Sequence, residues 1–337
     1  MSKEKVYYFP PLKGKEYKNP YSANYRNSLA KRYDVVNIKG APSVGMSIAF
    51  ILSVFRADIY VINWLENIGK YKFGSLQFEL VKLGLWIIKK RKARIVWMFH
   101  NKHPHGGHDK CSKWLHDYMF RNASLIISHS KEATEYAKNR TSIKVIYVCH
   151  PIHPIKMKSW EGEAKNSDVF IWGNIFGYKG VYEFLQEEAK RHTDLIIRII
   201  GKAENKKLAD EIKSMCRDNI IFENRRAEFG EIEAYIRKSR YVLFPYIGSC
   251  VSSSGALIDT LVMGGTPVGP EIGAFKDLSD EGVCRIYKDY NDLFDLLNKD
   301  YSIKDETRQT FINGNSWDNL IDIIVNNLEP LIPTPRC

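Results

Sequence analysis

The sequence predicts an α/β protein made of two doubly wound, parallel-sheet domains in tandem, and three observations carry the prediction. Short β-branched runs alternate with helical periodicities along most of the chain, the pattern of consecutive βαβ units. The alternation lapses over residues 151–166, where Pro, Lys and polar residues gather, and then resumes. Such a lapse marks an interdomain linker. At 337 residues the chain exceeds one ordinary core and suits two.

The elements follow in order. An apolar strand over 6–9 leads into a loop, 10–20, rich in Lys, Pro and Gly, then a helix over 21–32 and a strand over 34–38. An apolar helix, 43–55, precedes the β-branched strand 59–63. Leu76, Phe78, Leu80, Val81, Leu83, Leu85, Trp86, Ile87 and Ile88 recur at helical spacing and end in the basic run Lys89-Lys90-Arg91-Lys92. Strands over 93–99, 124–128 and 144–149 then alternate with helices over 113–120 and 131–138. After the linker come strands over 169–172, 195–200, 220–222, 241–244 and 266–268. Helices over 181–191, 206–216, 231–238, 255–263 and 290–297 separate or follow them, and a last helix covers 316–328. The division expected is 1–160, 161–310 and a closing segment, 311–337, that returns to the first domain. Two such sheets in tandem are expected to face their carboxyl ends across a cleft, where folds of this kind bind ligands.

Composition narrows the partners. With 44% hydrophobic and 26% charged residues the chain reads as globular. Its N-terminus reads as a first strand rather than a signal peptide, and no run reaches the length of a membrane span. The six cysteines form no CxxC pair and read as reduced thiols, so a cytoplasmic protein is expected. The formal charge of +11 asks for an anionic partner. No nucleic-acid motif is present, which leaves phosphorylated small molecules and anionic lipid. The basic end of the helix over 76–88 suits an anionic membrane surface; it equally suits a helix C-terminus that favours cations.

The strongest local signal is Trp172-Gly173-Asn174-Ile175-Phe176-Gly177-Tyr178-Lys179-Gly180, directly after a strand and opening a helix. A glycine-bearing strand-to-helix turn presents N–H groups to phosphate oxygens, and Lys179 adds a compact positive charge. The second signal joins Phe244-Pro245-Tyr246, Cys250-Val251-Ser252-Ser253-Ser254-Gly255 and Gly264-Gly265-Thr266-Pro267-Val268. Ser253, Ser254 and Gly255 begin a helix, where they either cap it or bind phosphate. Asp259 lies one turn further on, placed to accept from a ribose diol.

Together these segments resemble the C-terminal domain of the GT-B glycosyltransferases, particularly the family 4, or group 1, enzymes. That family has a G-R-(four residues)-K-G segment, whose spacing Gly173-Asn174 through Lys179-Gly180 matches. Its E-(seven residues)-E segment is matched from about Val251 to the Gly-Thr-Pro-Val turn. Gly201, the His150-Pro151 pair and the Ser316-Trp317-Asp318 helix start extend the likeness. Two positions depart from the family: Asn174 replaces its arginine, with Arg225 or Arg226 as compensating cations, and Val251 or Ser252 replaces its first acid, with Asp259 as the second. The resemblance implies two Rossmann-like domains, a nucleotide-diphosphate sugar donor (UDP or GDP) and no metal. On that reading Gly173, Asn174, Lys179, Ser253, Ser254 and Gly255 hold the donor diphosphate, and Asp259, Arg225 and Arg226 the nucleotide.

Acceptor residues are sought at strand ends of the first domain. Asn63-Trp64-Leu65-Glu66 and Phe99-His100-Asn101-Lys102-His103 follow neighbouring strands. His100, His103, His105 and His108 lack the companions of a metal site. His100 or Glu66 is the expected general base if the enzyme inverts, with Trp64, Asn101 and Lys13 contacting the acceptor. The expected activity is transfer of a hexose-type sugar to a glycan or lipid-linked glycan. A GT-B sugar-nucleotide epimerase and a catalytically inactive nucleotide-sugar-binding protein are the alternatives.

Overall fold

Alternate residues of each strand point to opposite helical layers, and that period of two divides the interior of the first unit. The structure, a computed structural model, describes residues 3–11, 20–40, 45–100, 109–152, 164–248 and 254–328. The chain separates into one unit of residues 1–153 with 315–337 and a second of residues 154–314.

The first unit runs β1 (Lys5–Phe9), α1 (Pro20–Arg32), β2 (Asp34–Val35), α2 (Met46–Ser53), β3 (Ile59–Asn63), α3 (Gly74–Lys90), β4 (Arg94–Phe99), α4 (Lys110–Asn122), β5 (Leu125–Ser128), α5 (Lys131–Lys138) and β6 (Val145–Tyr147). Its sheet has the order β2-β1-β3-β4-β5-β6, with every pair parallel. Tyr7, Phe9, Tyr60, Ile62, Trp97 and Phe99 face the layer of α2 to α5. Val6, Tyr8, Ile59, Val61, Val96 and Met98 face α1 and the last helix, α13 (Trp317–Asn327). Both faces are covered, which is why these strands read as continuous apolar runs. The strand expected over 34–38 stops at Val35. The Asn37 side chain takes its place, accepting from Tyr8 N at 3.0 Å and donating to Tyr8 O at 2.7 Å.

The second unit runs β7 (Ser167–Trp172), α6 (Val181–Arg191), β8 (Ile197–Ile200), α7 (Lys206–Ser214), β9 (Ile220–Glu223), α8 (Phe229–Arg237), β10 (Ser239–Leu243), α9 (Gly255–Val262), β11 (Pro267–Pro270), α10 (Gly273–Asp280), β12 (Arg285–Tyr287), α11 (Tyr290–Leu297) and α12 (Asp305–Gly314). Its order is β12-β11-β10-β7-β8-β9, again all parallel. The expected parallel α/β architecture is therefore present in both units. Sequence periodicity missed α10, β12 and α12: β12 has three residues, α10 buries only Gly273, Ala274, Phe275, Asp277 and Leu278, and α12 buries only Arg308 and Phe311, too brief a stripe to register. It also missed a 3-10 turn at Leu65–Lys70.

The strand orders locate the ligand crevices. In each sheet the winding reverses once, between β1 and β3 in the first unit and between β7 and β10 in the second. A doubly wound sheet binds ligands outside the carboxyl ends of the strands at that reversal.

Candidate functional site

In the second unit the reversal is flanked by two loops, one after β7 and one after β10. The first is the Gly173–Gly180 segment. Gly173 has φ +97° and Gly180 φ +64°, backbone that favours glycine. A Cβ on Gly180 would stand 2.0 Å from Pro245 O, and one on Gly201 would stand 2.0 Å from Gly173 O. These glycines let the ends of β7, β8 and β10 close on one another. Ile247 N donates to Tyr178 O at 3.0 Å and ties the two loops together.

The loop's own N–H groups are largely committed, contrary to the expectation that they face phosphate. Gly173 N donates to Ile200 O, Ile175 N to Lys202 O, Lys179 N to Phe176 O and Gly180 N to Gly177 O. Gly177 N donates to the Glu204 carboxylate at 2.8 Å. What the loop offers an anion is the Lys179 side chain. Its Nζ lies 5.5 Å from the centre of the Tyr246 ring, and no carboxylate among the described residues pairs with it. Burial pushes its pKa down to about 8, because an ammonium without an anion is penalised when desolvated. Asn174 is exposed on the same loop.

The second anion device is the start of α9. Ser254 is its N-cap, yet the hydroxyl accepts nothing from the helix; Ser254 Oγ lies 3.4 Å from Tyr246 Oη. The N–H groups of Gly255 and Ala256 have no acceptor among the described residues, the condition under which a helix N-terminus holds an anion. Tyr246, to which the sequence assigned no role, thus stands between Lys179 and Ser254. Its signal was the Phe244-Pro245-Tyr246 run at a strand end. Asp259 sits deeper on α9, only 6% exposed, and burial raises its carboxyl to about 7. Trp172 Nε1 donates to Thr260 Oγ1 at 3.0 Å and joins the end of β7 to this helix.

The two candidate compensating cations differ. Arg225 is held by the carboxylates of Glu223 and Glu231, so its guanidinium is already occupied. Arg226 is exposed and no side chain among the described residues pairs with it. Ser253 lies outside the described residues. A cavity of about 410 Å3 elsewhere in this unit is lined by Arg240, Thr266 and Arg308 among others, near the amino ends of β10 and β11. It shares no residue with the loops above.

In the first unit, β3 and β4 deliver the expected acceptor-side residues. His100 Nε2 donates to Asn63 Oδ1 at 2.9 Å, with the Asn63 amide oriented by its Nδ2 donating to Phe9 O at 3.3 Å. Trp64, held at φ 50°, stacks on His100 with centroids 4.3 Å apart. Glu66, on the 3-10 turn that follows, is 5% exposed, and burial raises its carboxyl to about 7. Tyr21, unremarked in the sequence, centres the cluster: its ring lies 4.9–5.7 Å from those of Trp64, His100, His129, His150 and Trp317. His129 Nδ1 donates to Val148 O while Nε2 accepts from Tyr21 Oη, both at 2.8 Å. Burial lowers its pKa to about 4, so it stays neutral. Asn101, His103, His105, His108 and Lys13 lie outside the described residues. Among those described, no cluster of His, Cys, Asp and Glu is arranged to hold a metal ion.

No protein-family model and no curated sequence matches this chain. Solved structures do. The Anabaena protein Alr3699/HepE, in complex with UDP and glucose, superposes with a TM-score of 0.61 at 12% identity, over 97% of this chain and 96% of that one. An α,α-trehalose-phosphate synthase (UDP-forming) from Burkholderia vietnamiensis gives 0.60 at 12% identity, over 97% and 98%. A TarM variant from S. aureus, complexed with fondaparinux, α-GlcNAc-glycerol and UDP, gives 0.61 at 12% identity over 88% of this chain; the chain spans 61% of TarM's length. The fold is the GT-B fold of two parallel-sheet units.

Proposed function

We propose that this chain is a glycosyltransferase that moves a hexose-type sugar from a UDP- or GDP-linked donor to a hydroxyl of a glycan or lipid-linked glycan. The observation that carries the reading is the pairing of the half-buried Lys179, without a carboxylate partner among the described residues, with the start of α9, where Ser254 makes no capping hydrogen bond, at the strand reversal of the second unit. Two anion devices around one tyrosine suit the two phosphates of a sugar nucleotide, and UDP in the HepE and TarM structures supports that ligand class.

In the reaction the bond from the anomeric carbon to the diphosphate breaks and one to the acceptor oxygen forms. Lys179 and the N–H groups of Gly255 and Ala256 would take up the charge gathering on the leaving diphosphate. That is the service a divalent ion performs in other transferases, so we propose metal-independent turnover. Asp259 and Arg226 are the proposed nucleotide contacts; Asn174 and Ser253 complete the diphosphate set, while Arg225 is the weaker candidate. If the reaction inverts, the acceptor proton passes to Glu66 or to His100, with Trp64, Asn101 and Lys13 on the acceptor. A carboxyl with a pKa of about 7 is well matched to a proton transfer at neutral pH.

The test is a panel of UDP- and GDP-sugars scored for nucleotide release with and without glycan acceptors, in the presence of a chelator. Acceptor-dependent release that survives chelation and is lost in Lys179→Ala is the expected result. Free nucleotide and an altered sugar without any acceptor would mark an epimerase. Sugar-nucleotide binding without turnover across the panel would mark a binding protein.

A further inference from the structure

The first unit carries an apolar surface that its own core leaves uncovered. α2 and α3 pack through Phe50 and Gly84, where a Cβ on residue 84 would stand 2.7 Å from Phe50 Cε1. Gly84 therefore marks the side of α3 that faces α2. Next to it around the helix come the half-buried Leu80 and Ile87, then Leu76 and Leu83. Val81, Leu85 and Ile88 turn to the core. Ile48, Leu52 and Phe55 from α2 and its following turn, with Leu76, Leu83 and Trp86 from α3, are each between 49% and 72% exposed. Six large apolar side chains on two adjoining helices far exceed the scattered exposure usual on a globular surface.

The exposed charges at one end of this face are all positive. Arg56, Lys89, Lys90, Arg91 and Lys92 are all exposed at the end where the two helices finish. Arg91 Nη1 donates to Ala57 O at 3.0 Å and its guanidinium lies 5.9 Å from the Phe55 ring, which joins the basic end to the apolar face. Lys90 Nζ is 5.9 Å from the Trp86 ring. The exposed carboxylate of α3, Glu79, is paired with Lys82 at 2.9 Å. Hydrocarbon-compatible surface bordered by cations matches an anionic bilayer. A second copy of the chain would supply apolar area but the same positive charge. Among the described residues no helix is long and apolar enough to cross a membrane, so the helices would lie in the plane of the interface.

We propose that the paired faces of α2 and α3 form an insertion surface for an anionic lipid bilayer, with Trp86 at headgroup depth and Lys89 to Lys92 on lipid phosphates. The proposal goes beyond glycosyl transfer and is measured without any sugar nucleotide, so the two stand or fall separately. The full chain is sedimented with vesicles of phosphatidylcholine alone or mixed with phosphatidylglycerol. Binding to the mixed vesicles, weakened by added salt, is expected, with a blue shift of tryptophan emission that Trp86→Phe reduces. Leu83→Ser with Leu52→Ser should weaken partitioning at least about tenfold, and Lys89→Gln with Lys90→Gln should remove the preference for the anionic vesicles. Circular dichroism confirms that these surface variants fold. Equal pelleting with and without vesicles overturns the proposal. So does a dimer by light scattering that Leu83→Ser dissociates while vesicle binding is unchanged.

Discussion

Lys179 carries a pH dependence whose sign follows from its surroundings. Its folded pKa of about 8 lies below the ordinary 10.5, so the free protein releases this proton as pH rises through 8. A diphosphate needs the ammonium, so binding must take the proton back from solvent above that pH. Affinity for UDP should fall roughly tenfold between about pH 7 and 9; isothermal calorimetry measures it, and a flat profile would remove Lys179 from the site. Lys179→Ala should weaken UDP about ten- to hundredfold at neutral pH. Glu66 has the opposite shift. Its carboxyl is raised from 4.5 to about 7, so the folded state holds a proton that the unfolded chain has lost. Stability from this residue is therefore present at low pH and declines as pH climbs through that window. Glu66→Gln should gain about 1–3 kcal/mol over the native chain at pH 8 and nothing near pH 4, as read from urea unfolding at the two pH values.

At the scale of elements, a glycine and a tryptophan each hold two segments together by packing. Gly180 has both a positive φ and no room, with Pro245 O where its Cβ would be. Gly180→Ala should cost at least about 1 kcal/mol and lower UDP affinity, since it parts the loops after β7 and β10. Unchanged affinity in that variant would separate the loop contact from the binding site. Trp317 opens α13 and is 4% exposed, against Tyr21 and Tyr25 with centroids 4.9 and 5.6 Å away. Trp317→Ala should destabilise by about 3–5 kcal/mol. The surface pairs Lys31–Asp318 and Arg32–Asp322, with partners 44–61% exposed, add little to the α1–α13 contact.

At the scale of the whole molecule the chain path makes the units unequal. The second is continuous, whereas the first includes residues 315–337. Ending the chain at Gly314 removes α13, whose Leu320, Ile321 and Ile324 pack in the core of the first unit. The calorimetric transition that UDP raises should persist in that truncation, while the other shifts down or is lost. Loss of both transitions would mean that the units do not melt separately.

Much of this was legible in the residues alone. Period-two and period-3.6 patterning, with a single lapse, was enough for two parallel α/β sheets, because burial of both sheet faces leaves apolar runs no local choice. The spacing from Gly173 to Gly180 likewise marked the turn at the second strand reversal, and Lys179 within it. Three-dimensional neighbours decided the rest. Only they consume most of the loop's N–H groups, leave Ser254 beside Tyr246 without a capping bond to α9, and occupy Arg225 with Glu223 and Glu231. They also divide one apolar helix, α3, into a buried side and an exposed one. Periodicity reports that a side chain is apolar; whether something covers it depends on elements distant in the chain. The same holds for charge, since a lysine or carboxylate becomes unusual through what surrounds it after folding.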